Sequence, residues 1–135
     1  MTALRFKHLG VAVADIGTAL PVYEALFGYR LLNGPFADPI QKVTVCFVGS
    51  GDPGDMVLEL VAPLGEDSPI RQILAKGVSA YHACYEVCDI EQSVADVRVK
   101  GCVVVGKPVP AVAFQGRRIA WIYTPTRQLI ELVES

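Results

Sequence analysis

The sequence predicts an α+β fold that contains two copies of one β-α-β-β-β unit. The segment 6–16 returns at 80–90 with an offset of 74 positions. The segment 57–61 likewise returns at 129–133 with an offset of 72 positions. Between the matched ends, each copy contains one helical pattern followed by two extended runs separated by turn residues. Self-similarity over this length indicates one structural unit used twice.

The first copy opens with an extended run that ends at Asp15, a residue type that caps helices. We predict the following helix over about Thr18–Phe27, because Pro21 is tolerated only in a first turn. Gly28 is placed to close that helix. The remaining extended runs of this copy are 29–33, 42–48 and 57–61.

The second copy repeats this order, with Asp89 as the cap, a helix over Ile90–Val99 and Gly101 near its end. Its remaining extended runs are 103–105, 119–123 and 129–133. A polar stretch with a short helix at 69–75 links the two copies. We therefore predict a single domain over 1–135, with module one at about 4–63, the linker at 64–77 and module two at about 78–135.

The composition is that of a globular protein. Of the 135 residues, 52% are hydrophobic and 19% are charged, and the net charge is −2. Without a basic run, nucleic acid and anionic membranes are not expected partners. No signal peptide or transmembrane segment is visible, and the four cysteines contain no C-x-x-C pair. We therefore predict a cytoplasmic protein with reduced thiols.

Four titratable residues lie in otherwise apolar strands, and all four obey the repeat. They are His8, Glu59, His82 and Glu131. The chain has only two histidines, and both fall at equivalent positions. If the two copies are related by a pseudo-twofold axis, the four side chains converge and supply two imidazoles and two carboxylates to a divalent metal ion. The alternative is two structural histidines and two solvent-facing glutamates.

At these residues the sequence resembles the vicinal oxygen chelate superfamily, which includes glyoxalase I, extradiol dioxygenases and bleomycin-binding proteins. The superfamily's ligand order of His, Glu or Gln, His and Glu falls on the same four positions. The resemblance implies two paired βαβββ modules that form a curved mixed sheet around a metal site. It also implies one divalent ion as cofactor (Zn, Co, Ni or Mn) and a homodimer.

Within the superfamily the sequence is most similar to the methylmalonyl-CoA epimerases, through segments 8–13, 59–64, 67–70 and 129–132. This resemblance implies an isomerase that moves a proton α to the carbonyl of a small acyl thioester, such as a CoA thioester. Glu131 then corresponds to the glutamate that binds the metal and acts as acid/base. The second acid/base of the epimerases falls on Ile40, so Asp38, with the same strand parity, is the candidate replacement.

Two other functions remain open. A glyoxalase I-type lyase, acting on a thiol hemithioacetal, would use the same ligands and only one base, and bacterial glyoxalase I resembles this chain in having Glu at position 59. A non-catalytic small-molecule binding or resistance protein is the third reading.

Two further features are candidate ligand contacts. Trp121 lies on a strand face where it lines the pocket or packs in the core. Arg117 and Arg118 either contact phosphates or a carboxylate of a ligand or lie in a solvated turn.

Overall fold

The computed structural model describes residues 3–135, and the predicted α+β class is confirmed. Within that range, eight strands, three α-helices and one 3₁₀ helix follow one another as two β-α-β-β-β units joined by a short helix. Their order is β1 (Arg5–Ala12), α1 (Ile16–Phe27), β2 (Arg30–Asp38), β3 (Val43–Gly49), β4 (Leu58–Pro63), α2 (Ile70–Ala75), β5 (Ala80–Val87), α3 (Ile90–Val99), β6 (Val103–Pro110), the 3₁₀ helix (Val112–Phe114), β7 (Arg118–Tyr123) and β8 (Leu129–Glu134).

The chain divides into two compact units. One unit is His8–Tyr81, and the other combines residues 3–7 with His82–Ser135. Strand β1 therefore contributes to both units. None of the helices described in residues 3–135 is long and apolar enough to cross a membrane.

The unit His8–Tyr81 has its strands in the order β2-β3-β4-β1. Strands β1 and β4 are parallel, whereas β3 runs antiparallel to both of its neighbours. Helix α1 contributes Ile16 and Ala19 to an apolar core on one face of this sheet, with Leu60 at its centre and fully buried. Because strand side chains alternate, the residues next to Leu60 point to the other face.

The second unit repeats this arrangement with the order β5-β8-β7-β6, in which β5 and β8 are parallel. Ile90 and Val97 of α3 pack in its core beside the fully buried Leu132. Leu132 is the repeat partner of Leu60, so both copies build their cores at the same positions. The two βαβββ modules predicted from the repeat are confirmed.

The predicted helix caps are correct, but the predicted start of α1 is wrong. The Asp15 carboxylate accepts a hydrogen bond from Thr18 N at 2.9 Å, so the helix begins at Ile16 rather than Thr18. Pro21 then lies in the second turn, where it removes one backbone hydrogen bond. Asp89 caps α3 in the same way through Gln92 N, and α3 has the predicted bounds.

Two of the predicted extended runs, 29–33 and 103–105, are the first parts of longer, irregular strands. Strand β2 continues through Gly34 and Pro35 to Asp38, with its register shifted against β3 on either side of Asn33. Strand β6 likewise continues to Pro110, with a register shift between Val105 and Val109. Pairing with the neighbouring strand overrides the turn signal, and proline is tolerated at such bulges. The short linker helix is confirmed as α2.

Candidate functional site

The first of two buried His–Glu pairs lies in the unit His8–Tyr81. In the parallel ladder of β1 and β4, Glu59 is the register partner of Gly10, so its side chain shares a face with His8. The His8 Nε2 atom is 3.3 Å from Glu59 Oε1, and only 1% and 6% of the two side chains are exposed. An apolar strand face thus carries a close imidazole–carboxylate pair.

The second pair repeats this geometry in the other unit. In the parallel ladder of β5 and β8, Glu131 is the register partner of Cys84, two residues beyond His82. The His82 Nε2 atom is 3.4 Å from Glu131 Oε1, with 1% and 5% of the side chains exposed. The predicted equivalence of the two copies therefore holds for the site residues as well as for the strands.

An aromatic ring packs against each histidine, and it comes from the strand on the far side of the glutamate's strand. Phe47 is the register partner of Glu59 and meets the His8 ring edge-on, with centroids 5.4 Å apart. Trp121 is the partner of Glu131 and meets the His82 ring at 4.9 Å and 88°. The sequence left open whether Trp121 lines the pocket or packs in the core, and it did not identify Phe47, although the 74-residue offset relates the two.

The residue types and separations suit metal binding. Each pair offers one buried imidazole nitrogen and one buried carboxylate oxygen, and both are donor types that bind metal ions. A charge-assisted N–H···O hydrogen bond is typically about 2.7–2.9 Å long. Two atoms that bind one tetrahedral ion at about 2.0–2.1 Å lie about 3.3–3.4 Å apart. The separations within both pairs match the second value, so the donor set fits a divalent ion.

The environment of Glu59 also shapes its neighbour Cys46. Burial, reinforced by the negative charge of Glu59, raises the pKa of the Cys46 thiol to about 11. Cys46 belongs to the apolar core on the helix side of the sheet. It is therefore a neutral core residue.

Asp38 lies at the end of β2 on the same sheet face as the first pair. It pairs with Val43, and Val43 shares its side of β3 with Phe47, the partner of Glu59. The carboxylate is buried, and its Oδ1 atom accepts hydrogen bonds from Ile40 N at 3.0 Å and Gln41 N at 3.1 Å. Because Val43 and Phe47 are four residues apart, the register positions of Asp38 and Glu59 are separated by about 13 Å along β3.

Ile40 lies in the turn after Asp38 and is 56% exposed. Its apolar side chain offers no acid or base at the position to which the resemblance assigns a second acid/base. In the unit His8–Tyr81, Asp38 is thus a buried carboxylate on the face of the first His–Glu pair, oriented by the backbone of its own turn.

Comparison with known proteins places these features in a family. A family model described as the Glyoxalase/Bleomycin resistance protein/Dioxygenase superfamily matches residues 7–121. The chain belongs to this superfamily. It is 31% identical over 121 residues to the ethylmalonyl-CoA/methylmalonyl-CoA epimerase of Cereibacter sphaeroides, covering 88% of this chain and 87% of the relative.

Solved structures give the same result. The methylmalonyl-CoA epimerase of Mycobacterium tuberculosis is 28% identical, with a TM-score of 0.81 over 96% of this chain and 87% of that one. A Streptomyces coelicolor methylmalonyl-CoA epimerase variant in complex with 2-nitronate-propionyl-CoA is 27% identical, with a TM-score of 0.80 over 98% and 99% of the two chains. The predicted superfamily and the likeness to methylmalonyl-CoA epimerases are both confirmed.

Proposed function

We propose that this protein is a divalent-metal-dependent epimerase that moves the proton α to the carbonyl of a small acyl-CoA thioester. The observation that carries the proposal is the pair of repeat-equivalent, buried His–Glu pairs with N–O separations of 3.3 and 3.4 Å. The likeness to methylmalonyl-CoA epimerases over nearly the whole chain supports the reaction type.

In this proposal His8, Glu59, His82 and Glu131 together hold one divalent ion, which is Zn, Co, Ni or Mn. When bound, the ion stabilises the negative charge that develops on the substrate carbonyl oxygen as the α-proton leaves. Two imidazoles and two carboxylates suit several divalent ions, so the donor set does not select one.

The proton transfers are assigned to two carboxylates. Glu131 removes the α-proton from one face of the substrate, and Asp38 returns a proton to the opposite face. The burial of Asp38 and its position on the face of the first His–Glu pair support this role. Inversion requires both groups, because a single carboxylate would return the proton to the face from which it came.

The first experiment combines metal analysis with proton exchange. The purified protein is expected to contain about one equivalent of divalent metal per chain. In D₂O it should exchange the α-proton of methylmalonyl-CoA or ethylmalonyl-CoA. Glu131→Gln should lose exchange in the epimer whose α-proton Glu131 removes, whereas the exposed control Glu24→Gln should keep it. A metal-free protein, or undiminished exchange in Glu131→Gln, would overturn the assignment.

A glyoxalase-type lyase is the second candidate. That reaction needs a single base, so it does not require a carboxylate at the position of Ile40. Glu59 also favours it, because bacterial glyoxalase I resembles this chain in having Glu at that position. A metal-loaded protein that converts a thiol hemithioacetal but exchanges no α-proton of an acyl-CoA would establish it. Tight ligand binding without metal would instead indicate a binding protein.

Two further proposals concern the state of the protein in the cell. We propose a homodimer, since Val22, Leu26 and Phe27 of α1 expose large apolar side chains. A molar mass of one chain in light scattering would refute it.

We also propose a cytoplasmic location, which is supported by the four free cysteine thiols. Cell fractionation tests the location.

A further inference from the structure

A cluster of cations surrounds one carboxylate in the second unit. Glu86 of β5 makes ion pairs with Arg5 at 2.7 Å, with Arg117 at 3.3 Å and with Lys7 at 3.5 Å. Three positive charges therefore share one negative charge. Burial raises the pKa of Glu86, but the neighbouring cations outweigh it and hold the pKa below its usual value. Glu86 is thus ionised at neutral pH, and the cluster keeps an excess of positive charge.

The positive charge of the adjacent Arg118, in contrast, is fully compensated by two carboxylates. It forms ion pairs with both Glu91 and Glu134, and its backbone N–H also donates to Glu134. Even when these three residues are added to the cluster, the positive charges outnumber the negative ones by one. The whole chain carries a net charge of −2, so this excess is local.

The cations of the Glu86 cluster are held in place and remain accessible. Lys7 Nζ and Arg117 Cζ lie 6.0 and 5.7 Å from the centre of the buried Phe114 ring. The Arg117 guanidinium also donates to the Phe114 and Glu134 carbonyl oxygens. The side chains of Lys7 and Arg117 nevertheless remain 34% and 36% exposed, and that of Arg5 is 68% exposed. An anion in solvent can therefore reach all three.

The cluster also lies at a defined distance from the second His–Glu pair. Glu86 is four residues beyond His82 on β5 and, by strand alternation, on the same face. Four residues of strand span about 13 Å. In an acyl-CoA thioester, the pantetheine arm separates the reacting carbonyl from the phosphates, so a phosphate subsite must lie well away from the metal ligands.

We propose that Arg5, Lys7 and Arg117 form the subsite that receives the phosphates of the acyl-CoA substrate. This inference rests on the proposed function for its substrate class. It assigns a role to Arg117, for which the sequence left open a contact to a ligand or a place in a solvated turn, and it leaves Arg118 as a structural residue.

The test measures binding of adenosine 3′,5′-bisphosphate by calorimetry, which requires no turnover. Lys7→Gln and Arg117→Gln should each weaken binding about threefold to tenfold, and added salt should weaken binding to the wild-type protein. Arg98→Gln is the matched control, because it removes an exposed cation from α3 of the same unit. Circular dichroism verifies the fold, and Arg5→Gln, at the most exposed of the three positions, provides a second variant.

Steady-state kinetics supply the second readout. Arg117→Gln should raise KM for methylmalonyl-CoA with little change in kcat and leave KM for methylmalonyl-pantetheine unchanged. Equal binding of the bisphosphate by wild type and all three variants would overturn the subsite, even if the protein epimerises acyl-CoA. Weakened binding together with no exchange of any acyl-CoA would support the subsite and refute the proposed function.

Discussion

Replacing Glu59 and Glu131 one at a time by Gln separates metal binding from catalysis. The two carboxylates are repeat-equivalent, equally buried and nearly equidistant from their histidines. As metal ligands they should therefore contribute alike, and both variants should bind metal more weakly to a similar degree. In metal-saturated protein, Glu131→Gln should abolish exchange in the epimer whose α-proton Glu131 removes, whereas Glu59→Gln should keep this exchange, because Glu131 is the one of these two glutamates that is assigned a proton transfer.

The expected size follows from linkage. An ion that binds only the folded state stabilises it by about 2.7 kcal/mol at one hundred times Kd. For a chain of 135 residues the unfolding entropy is about 0.28 kcal/mol per degree, so the wild-type Tm should rise by about 10 °C. Tenfold weaker binding in either variant reduces the stabilisation to about 1.4 kcal/mol and the rise to about 5 °C.

The assay is a thermal unfolding scan of metal-stripped protein with and without Zn, Co, Ni or Mn, beside exchange in D₂O. Glu24→Gln is the control and should keep the full rise. A wild-type Tm that no ion changes would refute the metal site. A full rise in one Gln variant and none in the other would refute the equivalence of the two pairs.

Three other outcomes are expected. Asp38→Asn should retain exchange of the α-proton that Glu131 removes but should no longer invert the α-carbon. The measurement compares deuterium incorporation with the optical purity of the recovered substrate. Retained inversion would exclude Asp38 as the second acid/base. Leu60→Ala and Leu132→Ala should each lower the free energy of unfolding in urea by about 2–5 kcal/mol, because both side chains are fully buried, and a loss below 1 kcal/mol would contradict that packing. Hydrogen bonds from the Arg118 guanidinium lower the pKa of Glu134 below its ordinary value of 4.5. The contribution of this ion pair to the free energy of unfolding is therefore fully present above pH 4.5 and is lost as the pH falls through the lowered pKa. Arg118→Gln should therefore flatten the acid limb of the stability curve, and an unchanged limb would count against this ion pair.

The repeat explains how much of the fold the sequence could predict. An offset of 74 residues related two apolar strands, two Asp caps and two histidines, and each of these local signals depends on a residue and its near neighbours. Capping and strand alternation are properties of short segments, so α3 and the Asp89 cap were predicted correctly. The repeat offsets and the alternation of side chains in apolar strands identified the four buried His and Glu residues.

Strand pairing decided the features that local signals mispredicted. The Gly34-Pro35 and Gly106–Pro108 segments have turn residues, yet hydrogen bonding to β3 and β7 keeps β2 and β6 extended on both sides of their bulges. The Phe47 ring beside His8 likewise depends on the β3–β4 register. The cations around Glu86 come from positions about 80 and 30 residues away along the chain. The sequence alone determined the repeated unit and its buried His and Glu residues, whereas long-range pairing decided which side chains meet, because register and ion pairing join residues that share no local pattern.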